Sequence, residues 1–477
     1  MDTKRFNLKK LLTGTSANQL AFFNMLGPII LNGVNFFTVP VFTRMLGTEN
    51  YGVVSLYTTW VQVLTIVIGI QTCGTIAAAR VHIDKKELDA FYSSILSLSC
   101  LVSAVLTVLI VIFINPIAAF MQFNKIVVLL IVAQSFGAYV INFVTMKYIH
   151  HKQASLNFLV SVVVTLVSVF LSLILIMNID TFEDRYWGRI IGYAVPNVVV
   201  GIILGIQIFA KGKTGYRKDY WRFCLPLCLP LIFHNLSQIL LAQSDRIMLQ
   251  KLMNDNGAVG IYSFIFNFVH IINIIYSAMN NTWVPLYYDH LKAGEMDAIR
   301  RRTRNYMVLY TILTMGFMLL APEVVKLFAS EDFWSGTNLI PIMTVAYYMV
   351  FLYSFPVNYE FYHRETKIIA VGTCLAALVN IVANYFMIPI WGIAGASIAT
   401  MGSYVLLFFF HHFIAKYFIK GAKYHYKLTT FLPGIAAVLV TCGVFYLFYD
   451  FWYIRWGIGA VLGVYLLVRV YKQKSIF

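Results

Sequence analysis

Residues 224–262 read CLPLCLPLIFHNLSQILLAQSDRIMLQKLMNDNGAVGIY. The run is apolar and long enough for a helix that crosses ~30 Å of hydrocarbon at 1.5 Å per residue. Yet it carries Pro226, Pro230, His234, Gln238, Asp245 and Arg246. In lipid such groups gain nothing, because each one left unpartnered costs several kcal/mol. They must face other helices or water. Residues 27–52, GPIILNGVNFFTVPVFTRMLGTENYG, follow the same plan: Pro28 and Arg44 stand 202 positions before Pro230 and Arg246. Trp187-Gly188 and Trp391-Gly392 repeat at an offset of 204. The chain therefore reads as an internal duplication whose second half opens at residues 224–262.

The composition fits a membrane and little else. Of 477 residues, 60% are hydrophobic and only 12% charged, about half the charged share of a soluble domain. The pI near 9.4 raises nucleic acid as a partner, but the basic residues fall in separate loops and form no continuous stripe. No nucleic-acid partner is expected. Six cysteines, at 73, 100, 224, 228, 374 and 442, all lie inside apolar segments; they read as small buried hydrophobes, and no spacing completes a metal site. The N-terminus, MDTKRFNLKKLLTGTSANQL, leads into an apolar run too long for a cleavable signal. The first span is expected to stay in the protein.

Apolar windows predict an all-α integral membrane protein of fourteen spans, near residues 18–42, 52–79, 92–115, 126–146, 154–177, 187–209, 223–243, 258–284, 305–328, 336–359, 368–388, 392–415, 428–449 and 452–471. Of the 36 Lys and Arg residues, 28 flank one side of this pattern and 8 the other. Cytoplasmic loops retain Lys and Arg, so both termini are expected in the cytoplasm. With the duplication, the pattern gives an N-terminal six-helix bundle (residues 1–210), a second six-helix bundle (211–420) and two additional helices (421–477). An even number of helices per repeat relates the bundles by a pseudo-twofold along the membrane normal, with a cavity between them. Residues 289–305, DHLKAGEMDAIRRRTRN, predict a short surface helix whose arginines anchor topology or touch anionic membrane lipids.

No enzyme is expected. Lys211-Gly212-Lys213-Thr214 imitates a phosphate loop, but Gln207 stands where its first glycine belongs. What remains is polarity in stripes. Asn24, Pro28, Asn32 and Asn35 share a face of the first span; Gln62, Thr65, Gly69 and Thr72 share one on the second. His234, Gln238 and Asp245 do so on the seventh, and Ser263, Asn267, His270, Ser277 and Asn281 on the eighth. A single Asn or Ser ordinarily joins two helices. As a set on equivalent spans, these stripes point to one substrate cavity. Its candidate lining is Asn24, Asn32, Asn35, Arg44, Gln62, Arg80, His234, Gln238, Arg246, Asn267, His270 and Asn281. Arginines near helix ends either snorkel to the interface or bind phosphate bidentately. Guanidinium groups beside an amide-rich wall suit an anionic, heavily hydroxylated cargo.

Five pieces carry a resemblance: Thr43-Arg44-Met45-Leu46-Gly47 with Tyr51-Gly52; Ser244-Asp245-Arg246; Val259-Gly260-Ile261-Tyr262; Trp283-Val284-Pro285; and residues 380–396, NIVANYFMIPIWGIAGA. In that order, with the span count, the chain resembles the Wzx-type polysaccharide-biosynthesis flippases of the multidrug/oligosaccharidyl-lipid/polysaccharide exporter superfamily. The resemblance implies movement of a polyprenyl-diphosphate-linked oligosaccharide to the outer leaflet of a bacterial cell membrane by alternating access. Polysaccharide polymerase and chain-length machinery would then be partners. By residue matching it also implies a site for a coupling cation, Na+ or H+, at Asp245, Asn380, Asn384 and Thr400, with no other metal and no cofactor. The lipid II flippases carry a carboxylate where Asn384 stands, so less charge is available here, and a structural Asp245–Arg246 pair is the alternative. A multidrug antiporter of the same fold would instead need an acidic residue deep in an aromatic cavity. A non-transporting scaffold of envelope synthesis would need every stripe consumed by helix contacts.

Overall fold

The computed structural model describes residues 17–419 and 424–473. Among them are fourteen α-helices and no strand. In chain order these are α1 (Ala17–Gly69), α2 (Thr75–His82), α3 (Leu88–Ile112), α4 (Ile114–Met121), α5 (Lys125–His150), α6 (Ala154–Met177) and α7 (Arg185–Gly212). Then follow α8 (Lys218–Met253), α9 (Asn256–Ala293), α10 (Met296–Phe328), α11 (Ile340–Tyr362), α12 (Thr366–Tyr417), α13 (Leu428–Leu447) and α14 (Trp452–Gln473). Eleven of the described helices are long and apolar enough to cross a membrane. The chain is a multi-pass membrane protein.

Two of these helices are too long to cross once. α1 has 53 residues and α12 has 52, about 80 Å of straight helix against ~30 Å of hydrocarbon. Each is interrupted at one glycine with left-handed φ: Gly47 (φ 65°) and Gly392 (φ 56°). An L side chain at such a backbone angle pushes Cβ against the following carbonyl. Gly47 stands between the expected first and second spans, and Gly392 is the first residue of the expected twelfth. In α12 the consequence is measurable. Asn380 and Thr400 are 20 residues apart, which is about 30 Å along a straight helix, yet Asn380 Nδ2 donates to Thr400 Oγ1 at 3.2 Å. The helix therefore doubles back at Gly392.

Two expectations are corrected. Hydropathy predicts a continuous second span over residues 52–79; the helix ends at Gly69, where Ile70 (φ 45°) and Gln71 (φ 54°) turn the chain into a 3-10 turn and α2. The surface helix expected over residues 289–305 does not exist as a separate element. Its two ends belong to α9 and α10, which meet at Gly294 (φ 74°).

The chain forms two compact units: one reaches to Leu46 and resumes over Val53–Ile239, and the other comprises Gly47–Gly52 and everything from Leu240. In the first unit small residues let helices meet backbone to backbone, the usual device where lipid offers no hydrophobic drive. A Cβ on Gly201 would come within 2.6 Å of the Gly137 Cα, and one on Gly137 would meet the Asn197 backbone. Hydroxyls fasten the same region: Tyr139 OH lies 2.7 Å from both Thr72 Oγ1 and Ser99 Oγ. Thr72 and Gly69, which stands against the Tyr139 ring, are thus spent on helix contacts.

The second unit is aromatic. The rings of Tyr310 and Phe351 pack at a tilt with centroids 4.2 Å apart. The turn at residues 47–52 packs here: Gly52 lies on the Asn256 backbone and Gly260 on that of Thr48, each with no room for a side chain. That contact accounts for Tyr51-Gly52 and Val259-Gly260 as paired features of the sequence. Two pairs of titratable groups meet inside this unit. Glu360 and His411, both fully buried, meet at 2.8 Å. Arg455 of α14 is held by Glu323 of α10 and by the Leu319 carbonyl at 2.9 Å.

Candidate functional site: a buried polar cluster on α8, α9 and α12

The opening stretch forms most of α8, and Asp245 and Arg246 sit two turns before its end. Neighbours in a helix point in different directions, and these two side chains take separate partners. Asp245 is fully buried. Its Oδ1 accepts from Asn384 Nδ2 at 2.5 Å, and its Oδ2 from Thr400 Oγ1 at 2.7 Å and from the Tyr262 hydroxyl. Asn384 Nδ2 also reaches Asn380 Oδ1 at 3.1 Å, which Ser244 Oγ approaches at 3.1 Å. The doubling of α12 at Gly392 brings Asn384 from one arm and Thr400 from the other to a single carboxylate, and Asn380 bonds to both of these residues.

This cluster consists of oxygens with one formal negative charge, a donor set for a hard cation. One oxygen is spare: Asn384 Oδ1 is buried and has no hydrogen-bond partner. Orphaned buried acceptors are costly, and a cation bound between it and Asp245 would satisfy it. The residues therefore fit a monovalent ion.

Arg246 is buried as well. Its Nε donates to Ser263 Oγ at 3.0 Å, Nη2 to Asn267 Oδ1 at 3.2 Å, and Nη1 to the Ala242 carbonyl at 3.3 Å and to Gln243. The guanidinium lies 4.8 Å from the centroid of the Phe266 ring. Among the described residues no carboxylate stands within ion-pair distance of it. Arg246 does not snorkel as an arginine at a helix end would, because α8 runs on to Met253 and each of its three nitrogens donates inside the protein.

The structure thus groups Arg246 and Asn267, and separately Asp245, Asn380, Asn384 and Thr400. His270, one turn beyond Asn267, pairs through Nδ1 with Tyr347 OH at 3.0 Å. Asn281 is exposed further along α9. In the first unit Gln62, Gln238 and Arg44 are exposed, and His234 is half-buried with an unpartnered Nδ1. Arg80 donates to the His150 carbonyl at the end of α5, a helix C-cap interaction. The side chains of Asn24, Asn32 and Asn35 lie outside the described residues, as do both termini. Sequence reading missed Tyr262, Ser244 and Ser263 as partners. Tyr262 was visible only as part of a motif, since nothing in its spacing says which helix its hydroxyl meets.

The family described as polysaccharide biosynthesis protein matches residues 19–289. A membrane protein of Haemophilus influenzae is 21% identical over 368 residues, covering 74% of this chain and 86% of its own. Lsg locus putative protein 1 of the same organism is 22% identical over 396 residues, covering 78% and 93%. Among solved structures, the lipid II flippase MurJ in an inward closed conformation is similar with a TM-score of 0.67 and 16% identity, covering 93% of this chain and 99% of that one. A multidrug resistance MATE family transporter of the MOP superfamily, inward-facing, is similar with a TM-score of 0.57 and 14% identity over 91% and 98%.

Proposed function

The chain belongs to the polysaccharide biosynthesis protein family, and from that membership we propose that it is a flippase for a polyprenyl-diphosphate-linked oligosaccharide. It would act in a bacterial cytoplasmic membrane with both termini inside, and present its product to the polymerase and chain-length machinery. Its fold is shared with the lipid II flippase. In this reading the fourteen spans form two six-helix bundles related by a pseudo-twofold, with α13 and α14 added at the periphery. The bundles rock about a central cavity that opens to one side and then the other.

The observation that carries the reading is Arg246. A guanidinium buried in a membrane-spanning helix is normally neutralised; this one has only neutral hydrogen-bond partners. In this reading its charge, offset only in part by the Asp245 carboxylate next in sequence, is available to an anion. A diphosphate head cannot cross hydrocarbon alone, since burying an isolated charge costs up to tens of kcal/mol in the Born limit. Cationic and amide groups at cavity positions lower that barrier while the polyprenyl tail stays in lipid, and no bond of the substrate breaks. Asp245, Asn380, Asn384 and Thr400 would hold Na+ or H+, which supplies ~2.3 kcal/mol per charge per 100 mV on moving inward. The multidrug reading gains less, because the one carboxylate of the cluster is enclosed by three donors.

The test is reconstitution. Full-length protein in proteoliposomes, given a fluorescent lipid-linked oligosaccharide, should expose the sugar to an impermeant reagent faster than empty vesicles do. Arg246→Gln should slow this at least about tenfold, the loss of one charge-assisted hydrogen-bond site. Rates equal to those of empty vesicles, together with drug efflux by the same preparation, would reverse the assignment.

A further inference from the structure

A groove of about 1040 Å³ opens on the second unit between the first turns of α10, the start of α13 and α14. It is at the upper end of the size of a small-molecule site, and none of the residues discussed above as a transport site lines it. Its rim is basic. Arg300, Arg301 and Arg304 come from α10, and Lys427 comes from the segment before α13, more than 100 positions away in sequence. All four are exposed. One acid faces them: Asp297, 3.5 Å from Arg300 Nη1. The rim thus carries a clear positive excess, at the N-terminal and positive end of α10.

Below the rim the walls are apolar: Met307, Ile312 and Met315 on α10, Pro433 and Ala437 on α13, and Tyr465 on α14. From Met307 to Met315 is about 12 Å along the helix, most of one ~15 Å hydrocarbon leaflet. The groove also contains a buried polar atom without a partner, His425 Nδ1. Topogenic arginines need only lie on the correct side of the membrane. They have no reason to converge with a distant lysine on one opening that continues into an apolar slot.

We propose that this groove binds one anionic phospholipid, its phosphate among Arg300, Arg301, Arg304 and Lys427 and an acyl chain along Met307 to Met315 and Ala437. A choline or ethanolamine head would bring a cation into a rim that is already positive; a glycerol head would not. The site stands apart from Asp245 and Arg246, so it holds whatever those residues transport.

Native mass spectrometry of the full-length protein tests this, with added phosphatidylglycerol and phosphatidylcholine of identical chains. The wild type should retain phosphatidylglycerol at least about fivefold better, the effect of roughly one well-placed basic residue. The variant Arg300→Gln/Arg301→Gln/Arg304→Gln should fall to parity, while Lys85→Gln/Lys86→Gln, neutralised in a different loop, should keep the preference. Ala437→Trp leaves the rim intact and fills the slot. It should lose the adduct while eluting as a single species, which separates lost binding from lost folding. Equal retention of both lipids by the wild type overturns the proposal, as does an unchanged preference in both groove variants. Displacement of phosphatidylglycerol by polyprenyl phosphate at lower concentration would assign the groove to an isoprenoid carrier instead, and also overturns it.

Discussion

At Asp245 the chemistry reduces to counting charges and lone pairs. One carboxylate accepts from Asn384, Thr400 and Tyr262, and the unpartnered Asn384 Oδ1 would complete the oxygen set of the proposed cation site. If the ion is Na+, thermal stability should rise with NaCl relative to choline chloride, by RT ln(1 + [L]/Kd). Asp245→Asn should abolish that rise, and Asn384→Asp should move it to lower Na+ concentration. A wild type indifferent to Na+ but stabilised by acid would assign the site to H+. His425 offers a second, pH-dependent residue. Burial first, and Arg300 second, lower its pKa from 6.5 to about 4. Between these values the unfolded chain binds a proton that the folded protein does not, so stability falls as pH drops from about 6.5 to about 4, by roughly 3 kcal/mol in all. The tyrosines around the ring, Tyr287, Tyr359, Tyr424 and Tyr426, stay neutral across that window. In delipidated protein His425→Gln should flatten the acid side of a melting-temperature profile. An unaltered slope would place the sensitivity elsewhere. The residues of the Asp245 cluster were legible through motif resemblance. The buried state of Arg246 was not, because residues 243–246, QSDR, lower the local hydropathy while α8 continues through them.

At the scale of elements, one glycine interrupts each of the two longest helices, and in α12 the result is a hairpin. Gly392 at φ 56° places Asn384 and Thr400 on the same carboxylate, so the site depends on a backbone angle eight residues away from either side chain. Gly392→Ala should cost about 1–3 kcal/mol from its positive φ and extended ψ alone, a combination sparsely open to L residues. It should also weaken any ion-linked stabilisation, because the two arms no longer meet in register. Gly316 in α10 is the control, since a Cβ there has nothing within 4 Å. Gly316→Ala should be neutral or gain up to about 1 kcal/mol. Equal melting temperatures for the two variants would deny Gly392 its role. Apolar windows located these elements well, because length and hydropathy respond to the same hydrocarbon thickness. They failed at residues 70–74 and 289–305. There the outcome rests on backbone angles at Ile70, Gln71 and Gly294, which hydropathy does not sense.

For the whole molecule, the basic residues are the informative signal. If Lys and Arg are held on the cytoplasmic side, their uneven division between alternate loops orients every span at once. Two loops of the first unit give the contrast. The segment between α2 and α3 holds Lys85 and Lys86, and the one between α6 and α7 holds Asp180, Glu183 and Asp184. An odd number of crossings, α3, α5 and α6, lies between them, with the eight-residue α4 too short to span. The loops must then open to opposite sides. With the six native cysteines replaced, Glu183→Cys should react with an impermeant maleimide in intact cells. Lys86→Cys should react only after lysis. Labelling of both in intact cells would mean a miscounted crossing between them. The reverse pattern would turn the molecule over and put the basic loops outside.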